Sequence, residues 1–257
     1  MRRSTFPFFI TAFVLIFMYL PIVILVTQSF NAARFGGEWA GFSLNWYRQL
    51  YLDGEIWNAM MNTLLISVSA TLISTVLGTM AAYAIHKWKN KWQLLHYGLL
   101  YSPLVVPEIL MGLSLLLLFI SMGISLGIVT IIIAHATFCM SYVAMVVLAR
   151  FENFDPSLIE ASHDLGANRW ETTIKVVIPQ LLPGIISGAL LSFTMSIDDY
   201  VITSFVAGPG ATTVPLKIFG LIKHGTSPVI NALSTIIIAV SFVIVYMTHN
   251  LAKESVT

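Results

Sequence analysis

DPSLIEASHDLGANRWETTIKVVIP, residues 155–179, interrupts an otherwise greasy chain and reads as a helix lying outside a membrane. Asp155 fits an N-cap, with Pro156 at the first helical position. Leu158, Ile159, Ser162 and Leu165 form an apolar stripe, and Gly166 suits a left-handed helix stop. A second helical stretch is expected from about Asn168 to Val177, ending before Pro179, which opens the next apolar run. Taken without further context, the segment is a linker with one solvated face.

The surrounding chain fixes its setting. Of 257 residues, 57% are hydrophobic and 10% charged, against about 25% charged in soluble proteins. That composition describes an integral membrane protein, and a net charge of +1 gives no field that would recruit nucleic acid. Cys139, the lone cysteine, excludes an internal disulfide and a cysteine metal cluster. The six histidines, 86, 96, 135, 163, 224 and 249, show no metal-ligand spacing; His135 is expected to hydrogen-bond between helices, with proton relay as the alternative.

Apolar runs long enough to span a bilayer fall near 6–30, 60–85, 94–121, 124–149, 181–207 and 229–251, which predicts six transmembrane helices in one domain. The first run is too long for a signal peptide. Arg2, Arg3, Lys87, Lys89, Lys91, Arg150, Arg169, Lys175 and Lys253 lie on one side, against Arg34, Arg48, Lys217 and Lys223 on the other, so both termini and loop 150–180 are expected in the cytoplasm. Small residues at fourfold spacing, Ala70, Ser74 and Gly78 and then Gly184, Gly188, Ser192 and Ser196, suit close helix packing, or, in the second stripe, a lumen.

Within the cytoplasmic segment, Glu160-Ala161-Ser162, then Gly166, then Val176-Val177-Ile178-Pro179 keep the spacing E-A-A-x3-G-x9-I-x-L-P. This resembles the EAA loop of ABC importer permeases, with Ser162, Val176 and Ile178 as conservative departures. The resemblance extends over nearly the whole chain and is closest to spermidine/putrescine importer permeases, through WAGFSLNWY, EASHDLGA and LSFTMSIDDYVITSFVAGPGATTVPLKI. It implies an all-α, six-helix type I (MetI-like) permease whose coupling helix, with Glu160, Ala161, Ser162, Asp164, Gly166 and Pro179, docks on a separate ATPase. The chain has no phosphate-binding loop of its own. ATP and Mg would therefore sit on a pair of ATPase subunits, alongside a second, different permease chain and a periplasmic polyamine-binding protein.

Three intramembrane acids need a reason, since each costs roughly 2.5–3.5 kcal/mol to insert. Polyamines carry several ammonium groups on methylene stems, so carboxylates and aromatic faces along a pathway would serve them. Asp198 and Asp199 supply the first. Glu108, after Pro103 and Pro107, is expected at similar depth, where the prolines open the helix. Adjacent aspartates point about 100° apart, so one of the pair is a candidate for capping or helix binding instead. Trp39, Trp46, Tyr47, Tyr51 and Trp57 suit an interfacial belt, with Trp46 the candidate for cation contact; Tyr101 and Tyr200 are candidates beside the acids. Segment 208–225 is expected as an irregular or half-helical lid. Competing readings are a similar importer for another small cation and an intramembrane aspartyl hydrolase, which neighbours on one helix cannot build.

Overall fold

Apolar runs in lipid leave backbone N–H and C=O groups only each other as partners, and the chain is accordingly helical. The computed structural model describes residues 6–34, 38–88, 91–152, 154–223, 228–239 and 242. The helices are α1 Phe6–Ser29, α2 Asn45–Leu52, α3 Gly54–Lys87, α4 Gln93–Val105, α5 Glu108–Ser121, α6 Ile128–Phe151, α7 Ser157–Asp164, α8 Arg169–Thr172, α9 Ile178–Asp198, α10 Val201–Val206, α11 Val214–Lys223 and α12 Pro228–Ala239. Lys89, His224, His249 and the basic residues at both termini lie outside the described residues, as does most of the sixth expected span beyond α12.

Among the described residues, four helices are each long and apolar enough to span a bilayer. The remaining expected spans differ from continuous rods. The run 94–121 is two helices, α4 and α5, bent by 108° where Pro107 cannot continue the ladder. The run 181–207 breaks at Asp199 and Tyr200 into α9 and α10. The run 60–85 is longer than expected, because Asp53 Oδ1 accepts from the N–H groups of Glu55 and Ile56 and starts α3 upstream of the apolar residues.

Two compact units partition the chain, residues 58–216 and residues 1–57 with 217–257. In the second of these, Asn31 ties the loop after α1 together. Its Oδ1 accepts from Ala33 N at 3.1 Å and Ala40 N at 2.9 Å, and Lys217 pairs with Glu55 across the same unit.

Unit 58–216 is built around α6. Ile131, Ala134, Phe138, Cys139, Val143, Ala144 and Val147 are all buried along it. Gly184, Gly188, Ser192 and Ser196 of α9 are buried too, and a Cβ added at Gly188 would lie 3.2 Å from Val143 Cγ1. On α3, a Cβ at Gly78 would meet Met140 O and Val143 Cβ at 2.8 Å. Ser74 Oγ and Ser192 Oγ then hydrogen-bond directly at 2.7 Å. Both stripes are therefore packing surfaces, and the lumen reading of the α9 stripe is corrected: the backbone of α6 occupies that side.

Adding a methyl at Gly78 should push α3 off α6 and destabilise by roughly 1–3 kcal/mol. At Gly98, where an added Cβ meets nothing within 4 Å, alanine should be neutral or stabilising by up to about 1 kcal/mol. Thermal unfolding of the purified Gly78→Ala and Gly98→Ala proteins checks the contrast.

Candidate functional site

At the end of the α9 stripe the chain leaves the helix, with Asp199 in an extended conformation at φ −63°, ψ 122°. The opened N-terminus of α10 needs acceptors, and the Asp199 carboxylate supplies them. Oδ2 accepts from Thr203 N at 2.8 Å and Thr203 Oγ1 at 2.7 Å, and Oδ1 from Ile202 N at 3.3 Å. His135 Nε2 stands 3.2 Å from Asp199 Oδ2, and that carboxylate is 5% exposed. Asp199 is thus the member of the pair that caps and binds another helix.

Asp198, the last residue of α9, is exposed and makes no ion pair with another described residue. Glu108 is also exposed, in the first turn of α5. A straight-helix count of its depth does not hold, because of the 108° bend before it. Its level is set instead by helix pairing. A Cβ at Gly112 of α5 would lie 2.7 Å from Phe205 and 3.3 Å from Ile202 Cα of α10. Farther on, a Cβ at Gly208 would lie 1.9 Å from Leu126 O. Both contacts bring the α5 side of the chain against segment 202–208. Gly112 lies one turn after Glu108, about 6 Å of helical rise, and Ile202 lies just past the break that follows Asp198, so both exposed acids border the same helix contact. Glu108 sits where a helix N-terminus favours negative charge, whereas Asp198 closes α9 at its C-terminal end, where the dipole does not.

The aromatic candidates divide. Trp46 is 6% exposed and its Nε1 donates to Asn31 O at 2.6 Å, so its ring is packed rather than offered to a cation. Trp39, Tyr51 and Trp57 are exposed, as a belt requires. Tyr101 on α4 pairs with Tyr97 at 6.0 Å between ring centres. Tyr200 lies half-buried in the break itself.

At the opposite end of the unit, α7 follows Asp155, whose Oδ1 accepts from Ser157 N at 2.9 Å. That bond holds the carboxyl below the usual carboxylate range. Gly166 turns the chain at φ +85°. The expected stripe splits in two: Ile159 and Ser162 face inward, Ser162 Oγ bonding Thr172 Oγ1 at 2.7 Å, while Leu158 and Leu165 are exposed, Leu165 at 89%. Glu160, Ala161, Asp164 and Gly166 share that open side. Asn168 begins α8 with a reciprocal cap, its Oδ1 accepting from Trp170 N and Glu171 N at 3.0 Å while Glu171 takes the Asn168 N–H. The helix does not stop before Pro179. A π turn, Thr173–Val177, carries it into α9, with Ile178 N donating to Thr173 O and the wider turn passing a proline that has no N–H.

His135, Ser196 and Thr203 were not sequence candidates for the site. The signals were present, an imidazole inside an apolar helix and an aspartate four residues before a threonine at a helix start.

Together these features define a multi-span helical membrane subunit with a short amphipathic helix presented at one end and carboxylates at helix breaks within its spans. The chain belongs to the family of binding-protein-dependent transport system inner membrane components, whose pattern matches residues 74–254. It is 38% identical to the spermidine/putrescine transport system permease protein PotC of Haemophilus influenzae over 98% of this chain and 97% of that one. It is also 38% identical to the putrescine transport system permease protein PotI of Escherichia coli K12, over 93% of this chain and 89% of that one. In fold it resembles a chain of a bacterial ABC transporter involved in import of the acidic polysaccharide alginate, with a TM-score of 0.73 at 19% identity, covering 97% and 98% of the two chains.

Asn168→Ala leaves two N–H groups of α8 without their acceptor, and amide exchange across 169–172 should rise by the equivalent of about 1 kcal/mol. Acid should act in the same direction. Glu171 is held below its usual range by the Asn168 N–H and then by Lys175. Its capping contribution is full at neutral pH and is lost as pH falls through the lowered value. Exchange protection of these amides, measured against pH in wild type and Asn168→Ala, checks both.

Proposed function

We propose that this chain is the permease subunit of an ATP-driven importer of polyamines, contributing half of the pathway, with Asp198 and Glu108 meeting the ammonium groups of the cargo. The observation that carries this is the exposed Asp198 carboxylate, without an ion pair among the described residues and bordering the same helix contact as Glu108, in a chain over one-third identical to permeases named for spermidine and putrescine. Asp199 acts from behind, holding the break. Tyr101 and Tyr200 offer ring faces along the same spans. Trp46 supports the loop after α1.

The exposed side of α7 with Glu160, Ala161, Asp164 and Leu165 is the surface for one ATPase subunit, Ser162 and Gly166 shape it, and Pro179 leads from it into α9. A second, similar permease chain engages the other ATPase subunit, ATP and Mg reside there, and a periplasmic receptor delivers the polyamine. Both termini face the cytoplasm in this arrangement, and exposed α1 meets lipid or the partner permease. Importers of another small cation would use the same acids. Competition by other diamines and by monovalent amines separates these cases.

Asp198→Asn in the assembled transporter should lower polyamine uptake about tenfold, equivalent to about 1.4 kcal/mol, with Glu108→Gln weaker. Glu160→Ala should instead lower cargo-stimulated ATP hydrolysis together with uptake. Wild-type uptake by Asp198→Asn would remove the cargo reading and leave family membership untouched.

A further inference from the structure

The break between α9 and α10 is held from a third helix by one side chain. His135 of α6 is 1% exposed and reaches both sides of it. Its Nδ1 lies 2.7 Å from Ser196 Oγ, before the break. Its Nε2 lies 2.9 Å from Thr203 Oγ1 and 3.2 Å from Asp199 Oδ2, after it. The proton arrangement follows from chemistry. An ionised carboxylate only accepts, so Thr203 Oγ1–H donates to Asp199 Oδ2 and leaves a lone pair toward the imidazole. Nε2 must then carry a proton, which it shares between the threonine oxygen and the carboxylate.

We infer that His135 is a positioning residue for cargo passage, holding Asp199 against α6 so that α9 ends at Asp198 and leaves that carboxylate unpaired. This rests on the polyamine reading above. Without the pull on Asp199, nothing in the apolar sequence on either side forbids a continuous helix through residues 199 and 200. The residues of α10 would then follow a different register relative to α9, turning by about 100° for each residue drawn into the helix, and Asp198 would lie within a helix instead of at its end. The neighbours of the ring reinforce one orientation: Phe138 packs edge-on at 5.6 Å, and Cys139 is engaged with Ser192 O at 3.5 Å.

Two conservative replacements separate positioning from filling. Glutamine places an amide N–H near the Nε2 position and can still donate to Asp199 and Thr203. Asparagine reaches only as far as Nδ1 and Ser196. In the complete transporter reconstituted in vesicles with its receptor and ATPase, His135→Ala and His135→Asn should each lose about tenfold in putrescine or spermidine uptake per ATP hydrolysed, whereas His135→Gln should stay within about threefold of wild type. Asp199→Asn should lose about as much as His135→Ala, and the double variant no more than either, instead of about a hundredfold.

Equal behaviour of the glutamine and asparagine variants, a multiplicative double variant, or wild-type uptake by His135→Ala would each overturn the assignment. If His135→Ala fails to assemble, the glutamine and asparagine pair decides alone. Wild-type uptake by Asp198→Asn sinks the cargo reading, whereas impaired Asp198→Asn beside normal His135→Asn sinks only the role of His135.

Discussion

A helix interrupted inside an apolar span exposes backbone groups that lipid cannot satisfy, and each one left alone costs several kcal/mol. Among the described residues two spans are interrupted, and each interruption carries its own remedy. At α5 the first residues follow a proline, and Pro107 O accepts from Leu110 N at 2.9 Å and Met111 N at 3.1 Å. At α10 a carboxylate takes the orphan N–H groups, while Thr130 Oγ1 of α6 donates to Val206 O at 2.8 Å and closes the other end. Polar residues at membrane depth here are first a structural necessity. A carboxylate beyond that necessity asks for a functional explanation, and within the described spans Asp198 and Glu108 are left over.

The same helix that ends at Asp198 begins beside the exposed helix α7. From Arg169 through the π turn to Asp198 the chain is one helical stretch of 30 residues, about 45 Å at 1.5 Å per residue. Small residues let it lie directly on α6, and Val143 is touched by Gly188 from one side and Gly78 from the other. A packed interface of this kind slides or rotates between discrete arrangements rather than deforming smoothly. Movement imposed on α7 and α8 therefore has a short mechanical route to the acid: Ser162 grips Thr172 beside α8, and α8 runs into α9.

Spans, docking segment and acids were legible because each is a local pattern: an apolar run of about 20 residues, a spaced motif over residues 160–179, or a charge among hydrophobes. Gly166 was legible for the same reason, since its left-handed turn depends on one residue. The bend at Pro107 was signalled, but not its angle, because a proline permits a kink whose size the neighbouring helices decide. Trp46 looked like a surface aromatic because its partner, the carbonyl of Asn31, is a backbone group without a sequence signature. The Asp198 and Asp199 division was open to two readings, since only His135, 64 positions earlier in the chain, decides which carboxylate turns inward. The small-residue stripe on α9 favoured packing over a lumen for reasons visible in sequence, and the buried face against α6 agrees.

Cargo charge cannot come from the architecture, because a chain sharing this fold at a TM-score of 0.73 belongs to a transporter of an acidic polysaccharide. What discriminates is the sign of charge placed at the breaks. A polyanion passing exposed Asp198 and Glu108 would meet repulsion at both, with little water to screen it. A polycation would exchange hydration for two carboxylates, Glu108 favoured by the N-terminus of α5 and Asp198 left at the C-terminus of α9, where a positive partner is the more welcome. The acids are also few and exposed rather than enclosed, which suits a pathway: contacts strong enough to compensate desolvation but open enough to release. On the polyamine reading, tight discrimination among cations is left to whatever delivers them, and the permease would supply a stretch of membrane in which positive charge is tolerated in one place.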